Sequence, residues 1–259
     1  MMMIRAGWLP HVLFSMLLVC GFHAAVAAAD SRDAKPLTAR ELIELAFPSG
    51  SQWRSAPVVK WASAPSVLVL SEAAVTGSER AAVRAELAPL AAAGLIQVPR
   101  FQDISAADRS AAAQAEGADI LLVYGPKALE MARGPYRALL ASVLPAGAGV
   151  DGAVDEAVAK GLPALGKSRF DPQTGRLKRY AAFEVTDGDA DGVRQTTIIA
   201  ILSSLAPSVQ SSPLGAALLI GPNSDINLTP QAMQYLRFLY SDKVPQGIGF
   251  ADLVQEIVP

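Results

Sequence analysis

The residues with the most chemical promise form one short run, Asp187-Gly188-Asp189-Ala190-Asp191-Gly192. Alternate aspartates followed by glycine place three carboxylates, Asp187, Asp189 and Asp191, where a calcium loop takes its first, third and fifth ligands. The twelfth position of such a loop requires a bidentate glutamate, and here it is Ile198. The same turn also reads as a helix start, with Asp191 as the cap and the other carboxylates favouring the positive helix end. Calcium is therefore the one metal that the sequence offers, and no other cofactor is expected.

Three further acids, Glu72, Asp119 and Glu184, stand at or near the ends of apolar runs. Brought together on neighbouring strands, two of them could flank a glycosidic bond as acid and base. Ser203 and Ser204 could serve a Ser/Lys nucleophilic pair, but in an apolar helix they more readily bond back to its carbonyls. Trp53, Trp61 and Tyr124 could line a groove, although aromatics beside apolar strands usually belong to the core.

What the chain lacks narrows the chemistry further. Arg5, the apolar run 12–19 and the small residues of 25–29 have the layout of an export leader, expected to be removed after Ala29. The expected location is thus periplasmic or secreted, with membrane contact only if the leader is uncleaved or lipidated at Cys20. Both histidines, His11 and His23, and the single cysteine, Cys20, fall inside this leader. Residues 30–259, read as one domain, would then hold no imidazole or thiol. That excludes a Ser-His-Asp triad, a thiolate nucleophile, a disulfide and a nitrogen- or sulfur-ligated zinc.

The elements that must position these residues are legible from periodicity. Thr38-Ala39-Arg40-Glu41 is a capping box that opens a helix. The apolar runs 58–61, 66–70, 95–101 and 118–124 predict strands, the last buried on both faces. Thr76 or Ser78 caps a helix closed by Gly94, and residues 126–144 predict a helix in two pieces. The glycine-rich stretch 147–166 reads as a loose connection or insertion, with one short helix over 151–160. Residues 168–170 and 177–186 form a hairpin, followed by an apolar helix over 194–205. Thr229 and Pro230 start a C-terminal helix, and a last short helix covers 250–257. The expected fold class is α+β, a mixed β-sheet with packed helices and a helical C-terminal part.

With 22 basic and 24 acidic residues among 259, a net charge of −2 and 51% hydrophobic residues, the chain is a globular one without a basic face for nucleic acid.

Three segments carry a resemblance. They are Lys60-Trp61 leading into Val67-Leu68-Val69-Leu70; Gly175-Arg176-Leu177; and Leu228-Thr229-Pro230 with Tyr235-Leu236-Arg237-Phe238-Leu239-Tyr240 and Pro245-Gln246-Gly247. On these the chain resembles a family of secreted bacterial proteins of unknown function related to zincin-type metallopeptidases. The resemblance implies a zincin-like layout: strand, helix, three strands, then a buried helix. It also implies a metal-binding helix, where zincins carry two histidines and a glutamate. Residues 196–209 contain neither, and Ala232 stands where an acidic residue would be expected. The expected function is therefore a non-catalytic, pseudo-metallopeptidase-like exported domain that binds a protein or cell-envelope component. The alternatives are a carboxylate-dependent hydrolase of envelope polymers and a small-molecule binding module.

Overall fold

The structure is a computed structural model that describes residues 35–47, 57–104, 117–144, 147–161, 164–185, 202 and 229–257. A five-stranded sheet forms its centre. In chain order the strands are β1 (Val67–Glu72), β2 (Arg100–Ile104), β3 (Ile120–Tyr124), β4 (Ala164–Phe170) and β5 (Leu177–Glu184). They lie in the spatial order β2-β1-β3-β5-β4. The first four of that order are mutually parallel, and β4 runs antiparallel to β5 along the edge. The sheet is thus mixed, as the sequence leads one to expect.

Every residue of β1 and of β3 is buried, which explains their unbroken apolar runs: strands covered on both faces need no polar alternation. The two faces separate by the pleat. Leu68, Leu70, Leu121, Val123, Ala181 and Phe183 pack on one side against α3 (Ala128–Arg133), α4 (Arg137–Val143) and α5 (Val150–Ala159). Val67, Val69, Ile120, Leu122, Tyr180 and Ala182 pack on the other against Val83, Leu87 and Leu90 of α2 (Gly77–Ala92). Leu202 and Leu236 complete that second core.

A third cluster joins the two ends of the described chain. Leu42, Ile43 and Leu45 of α1 (Ala39–Ala46) meet Tyr235 and Leu239 of α6 (Pro230–Leu239) and Leu253 of α7 (Phe250–Ile257). The helix starts obey their sequence signals. Thr38 with Glu41, and Thr76 with Glu79, both close reciprocal capping boxes, and Thr229 accepts from the Ala232 amide ahead of Pro230.

Two expectations shift in position. The strand expected over 95–101 begins only at Arg100, because Leu95 and Ile96 are buried in the second core beyond the end of α2, and Pro99 has no N–H to offer a ladder. Of the strand expected over 58–61, a single bridge from Lys60 to Arg176 forms. The glycine-rich stretch holds α5, whose Val150, Val154 and Ala157 are buried in the first core, and the start of β4. The helix expected over 194–205 falls outside the described residues except for Leu202, which is helical and buried. Among the described residues no helix is long and apolar enough to cross a membrane.

Candidate functional site

The three candidate acids are held apart by the sheet. Parallel pairing places Glu72 and Glu184 at the carboxyl ends of β1 and β5, whereas Asp119 precedes β3 at the amino end. There Asp119 accepts from both the amide and the hydroxyl of Ser66, each at 2.8 Å, and returns its own amide to the Ser66 Oγ at 3.0 Å. This closed ring fixes β1 against β3 and is a structural use of the carboxylate. Between Glu72 and Glu184 lies β3, so their backbones are roughly 10 Å apart. Their side chains also diverge, because Glu72 is in phase with Leu68 and Leu70, and Glu184 with Tyr180 and Ala182, on the opposite face. No pair of these acids shares a face and an end.

Glu72 is nonetheless unusual. It is 9% exposed, and its Oε1 accepts the Lys127 amide at 2.7 Å. Burial raises its pKa above the ordinary glutamate value, opposed by that hydrogen bond and the Lys127 charge and helped by Glu130. A Cβ on Gly125 would sit 2.7 Å from the Glu72 Cβ, Cγ and Cδ, at a backbone φ of +148°. Only glycine lets the carboxylate lie across that turn. Next to it Ser71 Oγ donates to Asp103 at 2.8 Å, while Arg80 bridges Asp103 at 3.1 Å and the Glu72 carbonyl at 3.2 Å. Here the connections from β1 and β3 leave toward opposite faces, α2 on one and α3 on the other, which in open α/β sheets is the place where a crevice forms.

A formed groove of about 630 Å³ lies at the other end of the sheet, within the range of ligand sites. Trp61, Asp119, Asp171, Arg176, Lys178 and Gln246 contribute to its walls. Its frame is a knot of long-range backbone bonds. The Lys60 amide donates to the Gly175 carbonyl at 3.0 Å, the Leu177 amide to the Lys60 carbonyl at 2.9 Å, and the Val58 amide to the Ile248 carbonyl at 3.0 Å. Gln246 Nε2 adds a bond to the Thr174 carbonyl at 2.9 Å. Gly175 has φ +65°, and a Cβ there would collide with the Val58 carbonyl oxygen, so the turn between β4 and β5 can dock this closely only with glycine.

Lys60 ties the same knot to the C-terminal helices. Its ammonium donates to the Leu239 carbonyl at 3.0 Å and to the Val244 carbonyl, and lies 5.6 Å from the Tyr240 ring centre. Burial lowers its pKa, with Asp242 pulling the other way. Tyr240 in turn donates to the Leu202 carbonyl at 2.8 Å and accepts from the Trp61 amide at 3.4 Å. The segments around Lys60-Trp61, Gly175-Arg176-Leu177, Tyr235–Tyr240 and Pro245-Gln246-Gly247, far apart in sequence, are thus neighbours in space.

Arg176 and Lys178 stand out in sequence only as a short basic run. Gln246 and Asp171 carry no sequence signal for a site, because the groove exists only once β5 pairs and the chain at 245–248 folds back onto it. Trp61 is 4% exposed and Tyr124 is 1% exposed, so both are core residues, Trp61 doubling as groove wall. Asp187, Asp189, Asp191, Ser203, Ser204 and Trp53 lie outside the described residues. No family model, curated protein or solved structure matches the chain.

Proposed function

We propose that this chain is an exported, non-catalytic binding domain whose groove beside Trp61 and Arg176 holds part of a protein or cell-envelope component. The observation that carries this reading is the groove itself: an open cleft of mixed polar and apolar lining whose walls are braced by bonds between segments far apart in the sequence. An open cleft of this kind suits a segment of a larger partner better than an enclosed small molecule. The separation of Glu72, Glu184 and Asp119 favours binding over carboxylate-dependent hydrolysis, which needs two acids on either side of one bond.

In this reading the leader over 1–29 delivers the domain to the periplasm or the outside, and the chain is a relative of zincin-type peptidases that lacks their metal-binding helix chemistry. The three sequence segments support that kinship. Four parallel strands with helices on both faces weigh against a zincin-like layout.

The test is retention of the full chain on immobilised envelope polymers and envelope proteins, run beside peptidase and glycosidase assays with added calcium or zinc. Saturable retention without turnover supports the proposal. Stoichiometric zinc with peptide cleavage, or cleavage of a polymer that stops with Glu72→Gln, would sink it.

A further inference from the structure

Within the groove, hydrogen-bonding capacity is left unused on both signs. Trp61, 4% exposed, backs the groove wall, and its buried Nε1 has no acceptor among the described residues, which makes its N–H a reporter of changes in that wall. The Arg176 guanidinium makes no hydrogen bond or ion pair among the described residues, although Lys178 beside it is engaged by Asp171 at 3.2 Å. On the acceptor side, Asp119 uses Oδ2 for Ser66, leaving Oδ1, and Gln246 uses Nε2 for Thr174, leaving Oε1. These four residues come from segments that converge only here, and the frame that holds them is already bonded, so a ligand meets donors and acceptors that need little ordering.

We propose that this groove binds the free carboxylate end of a short peptide, with Arg176 receiving the carboxylate. The inference rests on the binding reading above and specifies its ligand. Arginine is the side chain best matched to a carboxylate, through paired charge-assisted N–H donors. Lys178 and Asp171 neutralise each other, and Asp119 is partly satisfied by Ser66, so Arg176 is the charge that an incoming anion answers. Behind the carboxylate, a peptide presents N–H and C=O groups in equal number. The groove offers Asp119 Oδ1 and Gln246 Oε1 as acceptors for the peptide N–H groups.

The experiment follows the Trp61 indole N–H resonance of the full chain, assigned by its loss in Trp61→Phe. Acetyl-trialanine is titrated in three forms of comparison: the free acid, its C-terminal amide, and glucuronic acid as a carboxylate without a peptide. Saturable perturbation by the free acid, weakened about tenfold or more in the amide and in Arg176→Gln, is the expected result. Equal binding of acid and amide removes the role of Arg176. Binding of glucuronic acid in preference to the peptide overturns the ligand class, and no perturbation at millimolar peptide overturns the site. Arg176 is exposed, so its substitution leaves the fold intact. If the peptide fails but envelope material is still retained equally by Arg176→Gln, this inference falls while the binding function stands; loss of all retention by the unaltered chain removes both.

Discussion

Lys60 is buried among carbonyl oxygens with no carboxylate bonded to it among the described residues, and this makes it a sensitive residue. Its ammonium satisfies the Leu239 and Val244 carbonyls where α6 ends and the chain turns. Lys60→Met keeps the length of the side chain and leaves both acceptors without that donor, so a loss of roughly 1–3 kcal/mol is expected. A urea midpoint unchanged from the unaltered chain would show that water replaces the amine at no cost. Glu72 should behave oppositely. Its folded pKa lies above the unfolded value, so the stability tied to its protonated form is present below about 4.3 and is lost as pH rises through the folded pKa. Glu72→Gln cannot ionise, yet its amide oxygen can still accept from Lys127. The stability difference, variant minus unaltered chain, should therefore grow in favour of the variant between pH 4 and pH 7; a constant difference would refute the buried-charge account. At this scale the sequence was only partly legible. Glu72 could be marked as a strand-end acid, but its face and its separation from Glu184 follow from pairing register, which periodicity along one strand does not encode.

Elements were legible wherever one local rule sufficed. The runs at 66–70 and 118–124 are apolar without alternation because both faces are covered, and Thr38 with Glu41 placed one helix start; for the next, Thr76 and Ser78 both qualify in sequence, and Thr76 is the cap. Where tertiary packing chose between neighbours, local rules missed: Leu95 and Ile96 look like a strand yet serve the core under α2, so β2 starts at Arg100. Within the glycine-rich stretch 147–166, the short helix expected over 151–160 forms as α5 and buries one face on the sheet. Two substitutions probe the elements. Thr76→Ala removes the capping box of α2 and should cost about 1 kcal/mol, with Thr76→Ser nearly neutral in the same thermal-unfolding series. Gly175→Ala forces a Cβ onto a left-handed backbone and against the Val58 carbonyl. It should cost about 2 kcal/mol or more and also open the groove, because the β4–β5 turn can no longer dock. If Gly175→Ala lowers stability without weakening ligand or envelope retention, the groove is not the binding surface.

At the scale of the molecule, α6 holds the two ends of the described chain to the sheet. Leu236 enters the second core while Tyr235 and Leu239 enter the third, so this helix is shared by the two clusters. The helix buries Tyr235, and the residue that follows it, Tyr240, is half-buried and bonded through its hydroxyl to the Leu202 carbonyl. For both phenols burial raises the pKa well above the ordinary tyrosine value, with the Trp61 amide working the other way at Tyr240. A raised folded pKa means stability fully present below the unfolded value of about 10 and lost as pH rises above it, because only the unfolded chain can release those protons. Alkaline unfolding should therefore begin near pH 10 and be cooperative across the sheet and the C-terminal helices. Phenolate absorbance from these two residues should appear with the loss of helical circular dichroism. Tyr235→Phe combined with Tyr240→Phe should lower stability at pH 7, through the lost Leu202 and Trp61 bonds, yet flatten its decline between pH 9 and pH 11. A decline as steep as in the unaltered chain would place the alkaline weakness elsewhere. Phenolate signals from Tyr235 or Tyr240 before any unfolding would mean that α6 does not seal the two cores together.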